Sequence, residues 1–250
     1  MTTADLAKEP RAVARMFDGV ADHYDLADSV MTLGLVHWWR RRTRQELEPL
    51  RGRRVLDLAA GTCTSSIELA RRGAQVVACD FSVGMLRRGK ARLRGSREDV
   101  SLVAGDALQL PFQAAAFDKV TISFGLRNVQ DVPGALAELL RVAKPGGQLV
   151  VCEFSRPVWR PFRAVYRWYL TRVMPLVAAL VASNAPAYGY LAQSIWSWAD
   201  QDELERLMEL AGWRGARHRN LMGGIVALHT ARAPSRVENS PRKASPSPSE

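Results

Sequence analysis

The stretch Arg54-Val-Leu-Asp-Leu-Ala-Ala-Gly-Thr-Cys-Thr-Ser-Ser66 decides the fold. Val55 to Leu58, apolar but for Asp57, runs unbroken into a tight Ala59-Ala60-Gly61 turn, the pattern of a buried strand ending in a loop. A helix is expected at once, because Ser65 with Glu68 three residues later fits a capping box. Strand, small-residue turn and helix in that order open a doubly wound sheet, where ligands sit beyond the carboxyl ends of the strands. A cofactor is therefore expected at this loop.

Its class follows from what the loop lacks. A dinucleotide needs glycines through the turn so that its pyrophosphate reaches the helix amides. Here Gly61 stands alone, followed by Thr62, Cys63 and Thr64, whose side chains would crowd a pyrophosphate. The run Ala74-Gln-Val-Val-Ala-Cys-Asp80 is a second strand ending in an acid placed to accept both hydroxyls of a ribose, with Phe81 directly after it. Val100 to Val103 leads into Gly105-Asp106-Ala107, a further carboxylate at a strand end, suited to an exocyclic amine. A ligand with adenine and ribose but no phosphate fits these positions, and S-adenosylmethionine is one. Each acid alone equally fits a helix cap, as Asp80 followed by Ser82 illustrates; Asp57, Gly61, Asp80 and Asp106 together carry the cofactor reading.

With 250 residues and 47% hydrophobic content, the chain suffices for one catalytic domain with an appendage. Met1 to Pro10 is polar and lacks the charged-then-apolar leader of an exported chain, so a cytoplasmic protein is expected. Cys63, Cys79 and Cys152 lack the paired spacing of a zinc site and read as reduced thiols; no metal is expected. The net charge of +10 is scattered over Arg40–Arg44, Arg87–Arg97, Arg156–Arg172 and the tail. Without aromatics arranged for stacking it argues against a nucleic-acid partner and equally suits an anionic membrane face.

Taken in order, residues 1–45 read as a helical cap, with Val13, Met16, Phe17 and Val20 at helical spacing and Tyr24 either facing a ligand or packed as an ordinary aromatic. The catalytic domain is expected over 46–232. Ser82 caps a helix, and Leu110-Pro111-Phe112 is placed to sandwich an adenine. Phe117 to Phe124 is the fourth strand, which brings Ser123 and Gly125 beside the cofactor. Asp131 and Pro133 start the next helix, and Gln148 to Phe154 is a fifth strand delivering Glu153 to the same edge. An aromatic and basic helical insertion spans 155–200, in which Trp159, Phe162, Tyr166, Tyr169 and Val173 recur at helical spacing among arginines. Such a helix suits a bilayer interface, an apolar tunnel or a lid. Leu204 to Leu210 reads as a surface helix, Trp213–Asn220 and Gly224–Thr230 as an antiparallel strand pair, and residues 233–250 as a disordered tail.

Assembled, the chain resembles the ubiquinone and menaquinone biosynthesis C-methyltransferases, demethylmenaquinone methyltransferases in particular, from about Val13 to His229. The resemblance is carried by Met16-Phe-Asp-Gly-Val-Ala-Asp-His-Tyr-Asp25, Val55-Leu-Asp-Leu-Ala-Ala-Gly-Thr62, Thr121-Ile-Ser-Phe-Gly-Leu-Arg-Asn-Val129, Cys152-Glu-Phe-Ser155 and Gly224-Ile-Val-Ala-Leu-His229. It departs at Asp28, where the family often has Asn, and at Cys63-Thr64, where Gly-Asp is frequent.

That resemblance implies a class I S-adenosylmethionine-dependent methyltransferase: an α/β, Rossmann-like fold with a seven-stranded, mostly parallel sheet, helices on both faces and a helical N-terminal cap. Thr62, Asp80, Asp106, Ala107 and Ser123 match family cofactor positions. The implied substrate is a prenylated naphthoquinol, with peripheral membrane attachment and a homodimer as further expectations. A benzoquinol, a soluble aromatic metabolite, an RNA and a non-catalytic cofactor-binding module are the alternatives. Since the sulfonium already activates its methyl, the enzyme has to orient a carbon nucleophile and steady a phenolate-like oxygen. Arg127 is the candidate for that charge, Asn128 for positioning the ring, and Tyr24, Glu153 and His229 for relaying the proton.

Overall fold

The structure, a computed structural model, describes residues 8–20, 29, 32–94, 96–173 and 185–235. In chain order it contains α1 (Pro10–Val20), α2 (Leu35–Leu47), β1 (Arg54–Leu58), α3 (Thr64–Ala70), β2 (Gln75–Asp80), α4 (Val83–Leu93), β3 (Val100–Ala104), β4 (Phe117–Ser123), a short 3-10 turn (Leu126–Asn128) and α5 (Val132–Val142). Then come β5 (Ala143–Phe154), α6 (Arg160–Trp168) running on into a π-helical turn (Tyr169–Val173), α7 (Ala185–Ser197), α8 (Gln201–Leu210), β6 (Arg214–Leu221) and β7 (Val226–Arg232).

The seven strands form one sheet in the order β3-β2-β1-β4-β5-β7-β6. β1 to β5 pair in parallel, and β7 runs antiparallel to both β5 and β6. The chain winds outward from β1 through β2 to β3, then returns across the sheet to β4. β1 and β4 therefore diverge at their carboxyl ends, and that crevice is where the topology leaves room for a ligand.

Period-two alternation divides the strands between two core layers. Leu56, Leu58, Val120, Ile122, Leu149 and Val151 face the side covered by Leu136 and Leu139 of α5 and Met208 of α8. Val55, Val76, Val150, Cys152 and Leu228 face Trp39 and Leu47 of α2. Each such side chain taken fully out of water contributes roughly 1.5–3 kcal/mol. Trp213, fully buried, also donates its indole N–H to the Leu136 carbonyl at 3.0 Å. The helix expected as a surface element, α8, thus has an inner face of Leu204 and Met208.

The capping box is corrected. Helix α3 begins at Thr64 behind Cys63, a left-handed residue with φ 62°, and no side chain caps it. Ser65 therefore lies inside the helix, and Glu68 instead pairs with Arg44 at 2.5 Å. Cys63 stands where left-handed backbone favours glycine. Its thiol finds room because Gly89 of α4 has no Cβ; one placed there would lie 2.4 Å from Sγ. Ser82 caps α4 through the Met85 amide, and Asp131 caps α5 through the Gly134 amide, as expected. The folded part reaches past the expected start of the tail, since Ala233 is buried and its amide donates to the Gly147 carbonyl at 2.8 Å. Residues 236–250 lie outside the described residues.

Candidate functional site

The carboxyl ends of β1 to β4 open into a cavity enclosing about 920 Å³ out to bulk solvent. Its floor is Gly61, Asp80, Asp106, Ala107, Ser123 and Asn128, and helix α1 closes it from above with Val13, Ala14 and Phe17. Asp18 of α1 holds that helix down by accepting from the Ser82 hydroxyl (2.5 Å) and the Gly84 amide (2.9 Å), an anion at the positive end of α4.

Gly61, at φ +54°, turns its amide to donate to Asp80 Oδ2 at 2.8 Å, while the Ser82 amide donates to Oδ1 at 2.8 Å. Burial pushes the Asp80 carboxyl above its ordinary range; the Ser82, Gly61 and Phe81 amides pull against it, and Asp18 raises it further. A carboxylate with this burial gains from two more hydroxyl donors on the cavity side, as a ribose presents. Asp106 takes the Leu108 amide on Oδ1 at 2.9 Å and also lies on the cavity wall. Phe81, Met85 and Leu108 supply the apolar walls there. The expected Leu110–Phe112 sandwich is corrected: Leu110 is buried in the core and Phe112 packs edge-on against Phe117 at 5.1 Å. Charged side chains on the cavity wall are Asp80, Asp106 and Lys8. Two carboxylates disfavour a pyrophosphate and favour a cationic ligand. The donor set, the apolar slot and the charge fit an adenosyl sulfonium.

Asp57 and Thr62 stand behind this wall. Asp57, fully buried, accepts from Ser66 at 2.6 Å and is raised to about 6 by that burial, the Ser66 bond opposing and Asp80 adding to it. Thr62 is buried and makes contact with Thr64. The three thiols are free and buried, and burial pushes each up to about 12.

Past β4, Phe124 (φ +55°) starts the turn that carries Arg127 and Asn128. Asn128 lines the cavity, and its Oδ1 accepts from the Tyr190 hydroxyl of α7 at 3.1 Å, so the insertion fixes its amide. Arg127 does not line the cavity. Its guanidinium is buried against Glu153, with Nη1 2.8 Å from Oε1, donates to the Phe124 carbonyl at 2.5 Å and stacks over Phe154. Glu153 also accepts the Arg127 and Phe154 amides. His229 lies away from the cavity in the layer beneath α8, its Nε2–H donating to the Gln201 carbonyl at 3.0 Å, and burial lowers it to about 4. Tyr24 lies outside the described residues. Sequence reasoning missed Lys8 and Tyr190, which no local pattern marks. It had Phe17 as part of an apolar face only.

A family model described as the ubiE/COQ5 methyltransferase family matches residues 4–233. The chain is 54% identical over 229 residues to a demethylmenaquinone methyltransferase from Streptomyces avermitilis, covering 92% of this chain and 97% of that one. It is 55% identical over 237 residues to one from Mycobacterium marinum, covering 95% and 100%. Among solved structures it is similar to a SAM-dependent methyltransferase from Thermotoga maritima, with TM-score 0.63 and 17% identity over 88% of this chain and 98% of that one. It is also similar to Haemonchus contortus phosphoethanolamine N-methyltransferase 2, solved with S-adenosylhomocysteine, with TM-score 0.60 and 14% identity over 78% and 52%. These structures share the seven-stranded methyltransferase fold. By the match along nearly its whole length, the chain belongs to the ubiE/COQ5 methyltransferase family.

Proposed function

We propose that this enzyme methylates a ring carbon of demethylmenaquinol, with S-adenosylmethionine as the donor, to make menaquinol. The observation that carries it is the cavity at the β1–β4 crevice: paired acids Asp80 and Asp106 at one end, and the Asn128 amide with apolar surroundings at the other. S-adenosylmethionine supplies a methyl on a sulfonium that departs as a neutral thioether. Asp80 holds the ribose hydroxyls, Asp106 the adenine amine, and Gly61 lets the backbone approach without a Cβ in the way. Asn128, its Oδ1 held by Tyr190 and one Nδ2–H directed to the Phe124 carbonyl, has its second amide N–H for the acceptor's ring oxygen. The buried Arg127–Glu153 pair fixes the turn that aims Asn128, and α1 keeps water out so that the ring carbon meets the methyl in line. Incubating the enzyme with reduced, short-chain demethylmenaquinone and S-adenosylmethionine should yield the ring-methylated quinone by mass spectrometry. Methylation of water-soluble hydroquinones in preference to the prenylated one would displace this substrate.

A prenylated quinol resides in a bilayer, and we infer that α6 brings the enzyme there. Val158 and Trp159, just before α6, and Val165 and Trp168 on it are 57–67% exposed, interleaved with Arg160, Arg163 and Arg167. Aromatic and cationic side chains on one helix suit an anionic interface. No described helix is long and apolar enough to cross a membrane.

A further inference from the structure

We propose that Lys8 is the catalytic group that takes the hydroxyl proton of the acceptor ring and faces the oxyanion left behind. This rests on the reading above that the acceptor is a quinol.

The placement follows from the two ends of the cavity. Asp80 and Asp106 assign the ends of β2 and β3 to the adenosyl part of the donor, which leaves the ends of β4 and β5 for the acceptor. Lys8 stands at that second end. Its ammonium lies 5.7 Å from the Trp198 ring, on the cavity wall, and its electrostatic neighbours are Arg127 and Glu153. Among the described residues no carboxylate pairs with it and no acceptor takes its protons. Arg127, the cation that the sequence motif singles out, is by contrast committed to Glu153, the Phe124 carbonyl and the Phe154 ring.

The chemistry requires a base as well as a charge. Arginine does not deprotonate in proteins, so Arg127 cannot accept a proton. Burial holds Lys8 below the ordinary lysine value, the Arg127 charge lowers it further and Glu153 partly restores it. Asp80 and Asp106 share the cavity with it, and Glu9 beside it in the chain is engaged with the Ala12 amide. A lowered amine is matched to a phenolic hydroxyl of pKa about 10.

The Nζ lone pair takes the hydroxyl proton, and the oxygen's electrons pass into the ring. The ring carbon forms its bond to the methyl as the methyl–sulfur bond breaks onto sulfur. The proton on that carbon then leaves to restore aromaticity while the Lys8 ammonium returns its proton to the oxygen. One proton is released to solvent per turnover.

The full-length enzyme, its Lys8→Met and Lys8→Arg variants, S-adenosylmethionine and short-chain demethylmenaquinol test this. Lys8→Met should lose about a hundredfold in kcat, the scale of a positioned base, with donor affinity by calorimetry unchanged. Lys8→Arg keeps the charge and the bulk, so KM for the quinol should hold while kcat falls. In both variants the rise of kcat/KM with pH that marks Lys8 should vanish. Native turnover in Lys8→Met, or a native pH profile in Lys8→Arg, overturns the role. So does a loss of donor affinity in step with turnover, which would assign Lys8 to the donor's carboxylate. A native enzyme inert toward the quinol removes the substrate reading first, and this role with it.

Discussion

The Arg127 guanidinium and the Glu153 carboxylate form an ion pair sealed inside the protein, 2.8 Å apart with side-chain exposures of 7% and 1%. Removing one partner strands a buried charge, at a cost of roughly 3–5 kcal/mol. Arg127→Met and Glu153→Gln should therefore each destabilise the fold in urea titrations, and the double variant should recover much of the loss. If the pair acts by aiming Asn128, both single variants lose turnover while keeping donor affinity. Glu153→Gln with native kcat would show that the guanidinium acts without its partner.

Asp80 carries a testable sign. Its carboxyl sits above the ordinary range because burial outweighs the backbone amides that donate to it. Hydroxyls from a bound ribose favour the ionised form, so binding lowers this pKa and releases a proton. Donor affinity should rise with pH through the raised value of the free enzyme and level off above it. Asp80→Asn should lose about 1.5–3 kcal/mol per charged hydrogen bond and the pH dependence with it. Calorimetry in buffers of different ionisation heat measures both, and equal proton release in native enzyme and variant would remove Asp80 from the site.

Among the described residues Trp159 and Trp168 are the most exposed aromatic side chains, at 67% and 60%. Replacing both with Ser should weaken partition onto vesicles rich in anionic lipid by about tenfold or more, by loss of apolar contact. Added salt should weaken what remains through the arginines. Methylation of a soluble quinol analogue should be untouched. Equal vesicle binding by native and variant enzyme would move the docking surface elsewhere.

The strands and their ends were legible because a buried parallel strand is a nearly continuous apolar run, and an acid closing such a run stands out. Asp80 and Asp106 on the cavity wall are therefore read from local pattern, and Ser123 from the place of its strand in the doubly wound topology. What escaped depends on distant chain segments. Lys8 and Tyr190 reach Asn128's side of the cavity from opposite ends of the sequence, and their neighbours in the chain say nothing of it. The Phe-Gly-Leu-Arg-Asn run was found, but the direction of Arg127 depends on which strand lies beside β4 and what it carries. The capping box failed for a conformational reason: the left-handed residue at Cys63 starts the helix before Ser65.

Asp57 and His229 oppose each other in acid. Asp57 holds its proton to about pH 6 in the folded protein, against 3.8 as its reference. As pH rises through that interval the unfolded chain has already released the proton, so the native state loses about 3 kcal/mol. His229, lowered to about 4 from 6.5, stays neutral in the folded protein while the unfolded chain binds a proton. Its contribution is absent in strong acid and grows by about 3 kcal/mol as pH rises through the same interval. The two slopes nearly cancel. Asp57→Asn, which keeps an oxygen for the Ser66 hydroxyl, should raise stability at neutral pH and leave a stability that climbs steeply between about pH 4 and 6. His229→Leu should leave one that falls over the same range. Urea midpoints across that range measure both slopes, and parallel curves for the two variants would mean that neither group titrates as its burial dictates.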